Sequence, residues 1–270
     1  MNCKTVEKQW RPILEAACKK AFADTHIPSH DFAHHRRVWG YGYDILTKID
    51  DGEEAEKCLN LGNLLAASYF HDTGLTIDPG EEHGAASLKL YNGWIEEHPS
   101  ITEITDERAK KAIVLHDDKT YKSNLNRSTP LAAGDTLTLL SIADDLDAFG
   151  FIGIARYTEI NLLRGATPIN LPLKVVHNLE SRWKFIEPLL LQLPDIYTIH
   201  RNRYQITYQF FKRWSDCSTV ASEYALFANV IQRIIVEEQG NWNTLSAALN
   251  QKSWSHISPT INGIISEISH

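Results

Sequence analysis

Apolar residues recur at helical spacing along most of this chain of 270 residues. A clear example is the series Val175, Val176, Leu179, Trp183, Ile186 and Leu190, which follows the period of about 3.6 residues per turn. Residues 151–160 alternate enough to permit a strand, although a helix fits them better. The pattern predicts an all-α fold, with a core of about five helices in residues 1–165 and a helical extension in residues 166–270 that packs on it.

Residues that start and stop helices divide the core into segments. The predicted helices cover about residues 30–50, 53–72, 81–98, 105–116 and 131–149. Ser29 is the expected N-cap of the first of these helices, and Asp31 falls in its first turn. The polar stretch 121–130 is expected to be a loop.

Four predicted helices each direct a residue that can bind a metal toward the core. His34, His71, His116 and Asp144 share helix faces with apolar residues, and Asp72 directly follows His71. A buried imidazole or carboxylate is costly unless it is paired, hydrogen-bonded or bound to a metal. A single buried histidine is usually only hydrogen-bonded, but several on separate helices favour a shared metal site in a helix bundle.

Three segments resemble motifs of one protein family. Residues 30–38, HDFAHHRRV, resemble the HDxxHxxRV opening of the HD-domain superfamily of metal-dependent phosphohydrolases. Residues 66–74 resemble its second motif, an apolar helix that ends in His-Asp-x-Gly. Residues 143–156, ADDLDAFGFIGIAR, resemble the last motif together with the continuation found in one bacterial subgroup, ADxLDAxGxIGIAR. The motifs occur in the family's order, and the resemblance covers about residues 20–160.

The resemblance implies an HD-domain helical bundle with a metal site. His34, His71, Asp72 and Asp144 match the family's metal ligands. Such a mixed nitrogen and oxygen site suits a divalent transition metal, namely Mn, Fe, Ni, Co or Zn, and the ligand types do not choose among them. The implied activity is the hydrolysis of a phosphate ester or phosphoanhydride by a metal-activated water.

Two further histidines leave the number of metal ions open at one or two. His83 and His116 lie between the His-Asp pair and the last motif, where some HD families hold a second metal with the motif aspartate as a bridge. In that arrangement Asp72 would bind both ions. Alternatively, the two histidines contact substrate or have structural roles around a single ion, and the spacing permits either arrangement.

Arg37, Glu82 and Asp147 join Asp72 as candidates for catalytic roles. Arg37 matches the arginine of the first motif, where it would contact phosphate or pair with an acid. Glu82, which with Glu81 precedes His83, would serve as a general acid or base or remain a solvated loop residue. Asp147 would orient a ligand or accept a proton.

Several neighbours of the motifs are assigned less specific roles. His30 and Asp31 are expected to support the site from the start of their helix. His35 and Asp145 point away from the ligand faces and are expected to meet solvent. Lys119 and Lys122 follow His116 and would offer phosphate contacts from a loop.

Composition limits the partners of the chain. A net charge of −7 argues against nucleic-acid binding, which needs a basic surface. No apolar run long enough for a membrane span or a secretory signal is visible. The four cysteines lack CxxC spacing and are expected to be reduced thiols in a cytoplasmic protein. The aromatic and arginine residues of the extension would either bind a nucleotide or form core packing and a dimer face, so a homodimer is left open.

These observations lead to three functional hypotheses. The first is a metal-dependent phosphohydrolase whose substrate is a small phosphorylated molecule, a nucleotide or a related metabolite. The second is an HD-fold di-iron oxygenase, which uses the same helices and a similar ligand set. The third is a nucleotide-binding regulatory protein. Metal content, oxygen consumption and phosphate release would separate these hypotheses.

Overall fold

In the computed structural model the described residues are 2–78, 83–126, 128–217 and 222–268. All regular secondary structure within these ranges is helical, which confirms the predicted all-α class. By their packing, the described residues fall into two compact units. The first lies within Met1–Thr25, His30–Leu146 and Phe185–Pro194, and the second within His26–Ser29, Asp147–Lys184 and Asp195–His270.

The helices in the first part of the chain are α1 Cys3–Ala21, α2 Phe32–Ile49, α3 Glu54–Phe70, α4 His83–Glu97, α5 Glu107–Leu115, α6 Lys119–Asn124 and α7 Thr136–Asp147. Those that follow are α8 Gly150–Leu163, α9 Leu171–Leu190, α10 Pro194–Asp216, α11 Glu223–Ile231, α12 Trp242–Asn250 and α13 Ser258–Ile268. A π-helical stretch, Gln232–Glu237, continues α11. Short 3₁₀ turns lie at Pro28–His30, Thr73–Thr76 and Pro99–Glu103.

Helix α3 is the centre of the first unit. Almost every residue of its second half is buried, because α1 and α2 pack along it. The Tyr69 hydroxyl of α3 donates a 2.8 Å hydrogen bond to Glu15 of α1, which fixes the two helices side by side. The helix α1 was not among the predicted helices. It is amphipathic, and its buried face consists of Val6, Trp10, Leu14 and Cys18.

The predicted loop at 121–130 is wrong in its first part, because α6 extends to Asn124. The predicted cap of α2 is also wrong. Asp31 is the N-cap residue, and its carboxylate accepts hydrogen bonds from the backbone N–H groups of Ala33 and His34. Ser29 lies buried in the preceding 3₁₀ turn. A carboxylate is well suited to this position because it meets the positive end of the helix dipole.

In the second unit, α8 is buried along most of its length. Its residue Arg156 donates hydrogen bonds to the carboxylate and the carbonyl oxygen of Asp147 and, at 2.6 Å, to the carbonyl oxygen of Ser29. The turn into α8 requires Gly150, whose φ of +87° is unfavourable for residues with a side chain. Helix α8 packs within this unit, and the predicted domain boundary at residue 165 stays a prediction.

The aromatic residues of the extension pack against one another. Trp183 stacks on Tyr204 with ring centroids 4.6 Å apart, and Phe211 stacks on Trp214 at 5.8 Å. All four side chains are buried. This arrangement favours core packing over nucleotide contact for these residues.

A carboxylate fixes the end of the same unit. Glu223 accepts hydrogen bonds from the hydroxyl and backbone N–H of Ser255 and from the backbone N–H groups of His256 and Ile257. These hydrogen bonds, with those from Ser255 making the largest contribution, lower the pKa of Glu223 to about 2. No helix in the described part of the chain combines the length and apolarity that crossing a membrane requires.

Candidate metal centre

Four predicted ligands from three parts of the first unit meet at one point. His34 lies in the first turn of α2, His71 and Asp72 directly follow α3, and Asp144 lies in α7. The Nε2 atom of His34 is 3.1 Å from Nε2 of His71, 3.2 Å from Oδ2 of Asp72 and 3.6 Å from Oδ1 of Asp144. Nε2 of His71 is 3.3 Å from Oδ2 of Asp72 and 4.0 Å from Oδ1 of Asp144. All four residues are buried.

These separations match those of atoms that bind one cation. With metal–ligand bonds of about 2.1 Å, adjacent ligand atoms of a tetrahedral or octahedral site lie about 3.0 to 3.4 Å apart, and opposite atoms of an octahedron about 4.2 Å apart. The observed range of 3.1 to 4.0 Å fits this pattern. The group of His34, His71, Asp72 and Asp144, here called the four-ligand group, could therefore hold a metal ion.

A second group shares Asp72. The Oδ1 atom of Asp72, the carboxylate oxygen not used by the four-ligand group, lies 3.0 Å from Nε2 of His83 and 3.1 Å from Nε2 of His116. The two Nε2 atoms are 3.3 Å apart. We call Asp72, His83 and His116 the three-ligand group, and it too could hold a metal ion. The carboxylate of Asp72 thus faces a pair of histidines with each of its oxygens, as a bridging ligand does.

Two histidine rings are oriented by the ends of their own helices. The Nδ1 atom of His71 lies 3.0 Å from the carbonyl oxygen of Ser68, and Nδ1 of His116 lies 3.0 Å from that of Ile113. A carbonyl oxygen only accepts, so each Nδ1 carries a proton and donates it. Nε2 then faces the shared carboxylate, where either a proton on Nε2 or a cation between the two groups makes the contact favourable.

Asp72 and the histidines around it shift one another's pKa values. Burial would raise the pKa of Asp72, but the positive charge of His71 and hydrogen bonds from His116 and His34 hold it well below its usual range. Burial would likewise lower the pKa of His71, yet the Asp72 carboxylate raises it. The carboxylate therefore stays ionised and needs positive charge beside it. A metal ion can supply that charge in place of protons, so binding of a metal releases protons.

Gly74 and Ser87 bring α4, with His83 at its start, against the end of α3. The Ser87 hydroxyl donates to the carbonyl oxygen of His71 at 2.6 Å and accepts from the backbone N–H of Gly74 at 2.8 Å. A Cβ at position 74 would lie only 2.0 Å from the carbonyl oxygen of His83, so glycine is required for this approach. The sequence analysis did not identify Ser87, because nothing local distinguishes it from any other helical serine.

Helix α7 is attached in a similar way. Ser141, one turn before Asp144, donates a 2.9 Å hydrogen bond to the carbonyl oxygen of His116. The hydrogen bond joins the end of α5 to the helix that carries the last ligand. The sequence did not predict a role for Ser141, although this residue shares the helix face of Asp144.

Two of the three remaining catalytic candidates lie among the described residues. Arg37 is half-buried on α2, and its charge acts on Asp31, where it partly offsets the rise in pKa that burial of that carboxyl causes. Asp147 belongs to the second unit and forms a buried ion pair with Arg156. Neither residue is a member of the four-ligand group or of the three-ligand group. Glu82 lies outside the described residues, so its role stays a prediction.

Two residues expected at the surface are buried. His35 has no exposed surface because its ring packs on Phe22, 5.4 Å away, and on His71, 4.8 Å away. The prediction was wrong because Phe22 directly follows α1, a helix that the sequence analysis missed. Asp145 is also fully buried and lies 3.2 Å from Nζ of Lys122 on α6.

His30 contacts the site from the start of α2. Its ring centroid lies 5.4 Å from that of His34, in an edge-on arrangement. All six residues of the four-ligand and three-ligand groups are buried, so little of their surface meets solvent. Comparisons of the chain with protein-family models, with curated proteins and with solved structures found no match.

Proposed function

We propose that this chain is a metal-dependent phosphohydrolase of the HD-domain superfamily, acting on a nucleotide or a related phosphorylated metabolite. The observation that carries the proposal is the carboxylate of Asp72. It is 4% exposed, and each of its oxygens lies within 3.3 Å of a separate pair of histidines. The order of the three sequence motifs that contain or border these residues supports the family assignment.

The chemistry of the ligands supports hydrolysis. A divalent cation bound there lowers the pKa of a coordinated water and offsets the negative charge of phosphoryl oxygens. His34, His71, Asp72 and Asp144 would hold one ion, while His83 and His116 would hold a second together with Asp72. Lys122, which pairs with Asp145 next to Asp144, would offer charge to a phosphate.

The experiment is a hydrolysis screen with the full chain. Protein freed of metal by a chelator is reconstituted separately with Mn²⁺, Fe²⁺, Co²⁺, Ni²⁺ and Zn²⁺. It is then assayed against nucleoside mono-, di- and triphosphates and against cyclic and dinucleotides. Release of phosphate or pyrophosphate that depends on added metal is the expected result.

The matched variants are Asp72→Asn and Asp51→Asn. Both remove one carboxylate charge, but Asp51 is exposed in the segment between α2 and α3. Asp72→Asn should lose metal and activity while its circular dichroism stays helical, and Asp51→Asn should keep both. A folded Asp72→Asn protein with full activity would refute the proposed site.

A di-iron oxygenase is the second candidate, because the two groups sharing Asp72 are also what a pair of irons would need. Two irons per chain with oxygen consumption, and no hydrolysis in the screen, would favour it. Nucleotide binding without turnover by folded, metal-loaded protein would instead favour the nucleotide-binding regulatory protein.

A further inference from the structure

A third group of metal-ligand side chains lies where α1 and α3 begin. Cys3 and Glu54 are the first residues of these helices, and Cys58 lies one turn after Glu54 on the same face of α3. The Sγ atoms of Cys3 and Cys58 are 3.5 Å apart, and Sγ of Cys58 is 4.0 Å from Oε1 of Glu54. The same carboxylate oxygen accepts a 3.1 Å hydrogen bond from the backbone N–H of Cys3.

These distances are close to those of ligands around one zinc-like ion. Zinc–sulfur bonds of about 2.3 Å in a tetrahedral site put two sulfur atoms about 3.8 Å apart, and put a sulfur and a carboxylate oxygen about 3.5 Å apart. The observed sulfur–sulfur distance is 3.5 Å and the observed sulfur–oxygen distance is 4.0 Å. The first is about 0.3 Å shorter than the ideal value and the second about 0.5 Å longer. A disulfide would need the two sulfur atoms at about 2.05 Å, far closer than they are.

Helix ends and burial act in opposite directions on the charge of these side chains. Cys3 and Glu54 lie at the positive ends of two helix dipoles, where thiolates and carboxylates are stabilised. Without a cation the Cys3 thiol keeps its proton, and a bound metal ion would replace that proton. Burial, followed by the effects of Cys58 and Glu54, raises the pKa of Cys3 to about 12. Sulfur ligands distinguish Cys3, Cys58 and Glu54 from the four-ligand and three-ligand groups, which we together call the His/Asp centre. Thiolates prefer softer ions such as Zn²⁺, Cd²⁺ and Co²⁺.

We propose that Cys3, Cys58 and Glu54 form a separate site for a thiophilic divalent metal ion, with Zn²⁺ as its natural type, which joins the beginning of α1 to the beginning of α3. A metal ion bound there would attach the first turn of α1 to α3. The hydrogen bond from Tyr69 to Glu15 attaches the second half of α1 to the same helix. Helix α1 leads directly to Phe22, which covers His35 beside the ligand His71. The site would therefore stabilise the wall of the His/Asp centre without contributing a ligand to it.

Cobalt absorption tests the proposal independently of any activity. The full chain is reduced with a thiol-free phosphine, freed of metal and titrated with Co²⁺ without oxygen. A thiolate bound to Co²⁺ gives a charge-transfer band in the near ultraviolet, and the His/Asp centre contains no thiolate that could produce it. The wild-type chain should show this band.

The variants are Cys3→Ser, Cys58→Ser and the control Cys217→Ser, which alters an exposed cysteine outside the group. The first two should lose the band and about one cobalt per chain, while the control keeps both. The cobalt that remains at the His/Asp centre, together with circular dichroism, shows that the variants are folded. Glu54→Gln should keep the band but bind Co²⁺ more weakly.

Four results would overturn the proposal. They are the absence of the band in folded, cobalt-saturated wild-type protein, its survival in both Cys3→Ser and Cys58→Ser, its loss in the control, and unchanged cobalt affinity in Glu54→Gln. Formation of a Cys3–Cys58 disulfide in air by protein that never binds cobalt when reduced would count against it as well.

Discussion

The shared carboxylate of Asp72 predicts a specific loss of metal when His83 is removed. His83→Ala deletes one of the three residues of the three-ligand group, whose Nε2 lies 3.0 Å from Asp72 and 3.3 Å from His116. The four-ligand group keeps all its members. We therefore expect bound metal to fall from about two ions per chain toward one, since each group would hold one ion in the proposed site.

The size of the effect follows from the number of ligands. Structural zinc sites with four protein ligands bind with about 10 to 16 kcal/mol, or about 3 kcal/mol for each ligand. A loss of that size weakens binding about 100-fold. His116→Ala should have the same effect on the same ion. His34→Ala should act on the other ion, because its Nε2 faces Oδ2 rather than Oδ1 of Asp72.

Elemental analysis after equilibrium dialysis against Mn²⁺ measures this directly. His177→Ala is the control, because it removes an exposed imidazole from α9. Circular dichroism must show that each variant remains helical. About two ions per chain in both His83→Ala and His116→Ala would rule out these histidines as ligands of the second ion. A single ion in the wild-type chain that neither variant affects would refute the bridging role of Asp72.

Three further predictions concern the scaffold. Arg156→Met should lower the free energy of unfolding by about 3 to 5 kcal/mol, because Asp147 would lose its arginine partner while fully buried; a loss below about 1 kcal/mol in urea titrations would contradict this. Gly74→Ala should destabilise by at least about 2 kcal/mol, because its Cβ would lie 2.0 Å from a backbone oxygen of α4. Gly93→Ala, where the Cβ meets open space, should instead stabilise the protein by up to about 1 kcal/mol. If Gly74→Ala and Gly93→Ala both melted at the temperature of the wild type, both expectations would be contradicted. Because the folded pKa of Glu223 is about 2 against an ordinary 4.5, its stabilisation is complete above 4.5 and is lost as the pH falls toward 2. The melting temperature of Glu223→Gln should thus fall below that of wild type at neutral pH and converge with it in acid, and a constant difference would show that this carboxylate does not titrate as described.

The ligands could be found in the sequence because each motif is short and helical. Within a helix, the apolar face is set by residues three and four positions away, so the inward direction of His34 and Asp144 can be derived locally. The adjacent pair of His71 and Asp72 at a helix end needs no long-range information either. A shared site was inferred from their positions on separate helices, but the exact set of four came from the family resemblance, because no local pattern specifies how separate helices meet.

The errors arose where distant segments decide the outcome. His35 looked like a surface residue because nothing near it in the sequence reveals that Phe22 covers it. Asp145 was expected in water, although Lys122 on an unpredicted short helix pairs with it. Cys3 and Cys58 approach each other across 55 positions, and only the packing of α1 on α3 brings them together. Each of these contacts depends on tertiary packing, which overrides local preference.

Two histidines at helix ends each have two roles: they donate a hydrogen bond to a backbone carbonyl oxygen, and they direct Nε2 toward Asp72. A helix leaves its last carbonyl oxygens without partners from the helix itself, and buried carbonyls must find donors. His71 follows α3 and His116 follows α5, and each ring donates from Nδ1 to a carbonyl oxygen three residues earlier. The hydrogen bond satisfies the helix end, fixes the ring and leaves Nε2 directed at Asp72. Replacing either histidine by another nitrogen donor of different length would lose both functions, so these positions require histidine even where a different residue could in principle bind the metal.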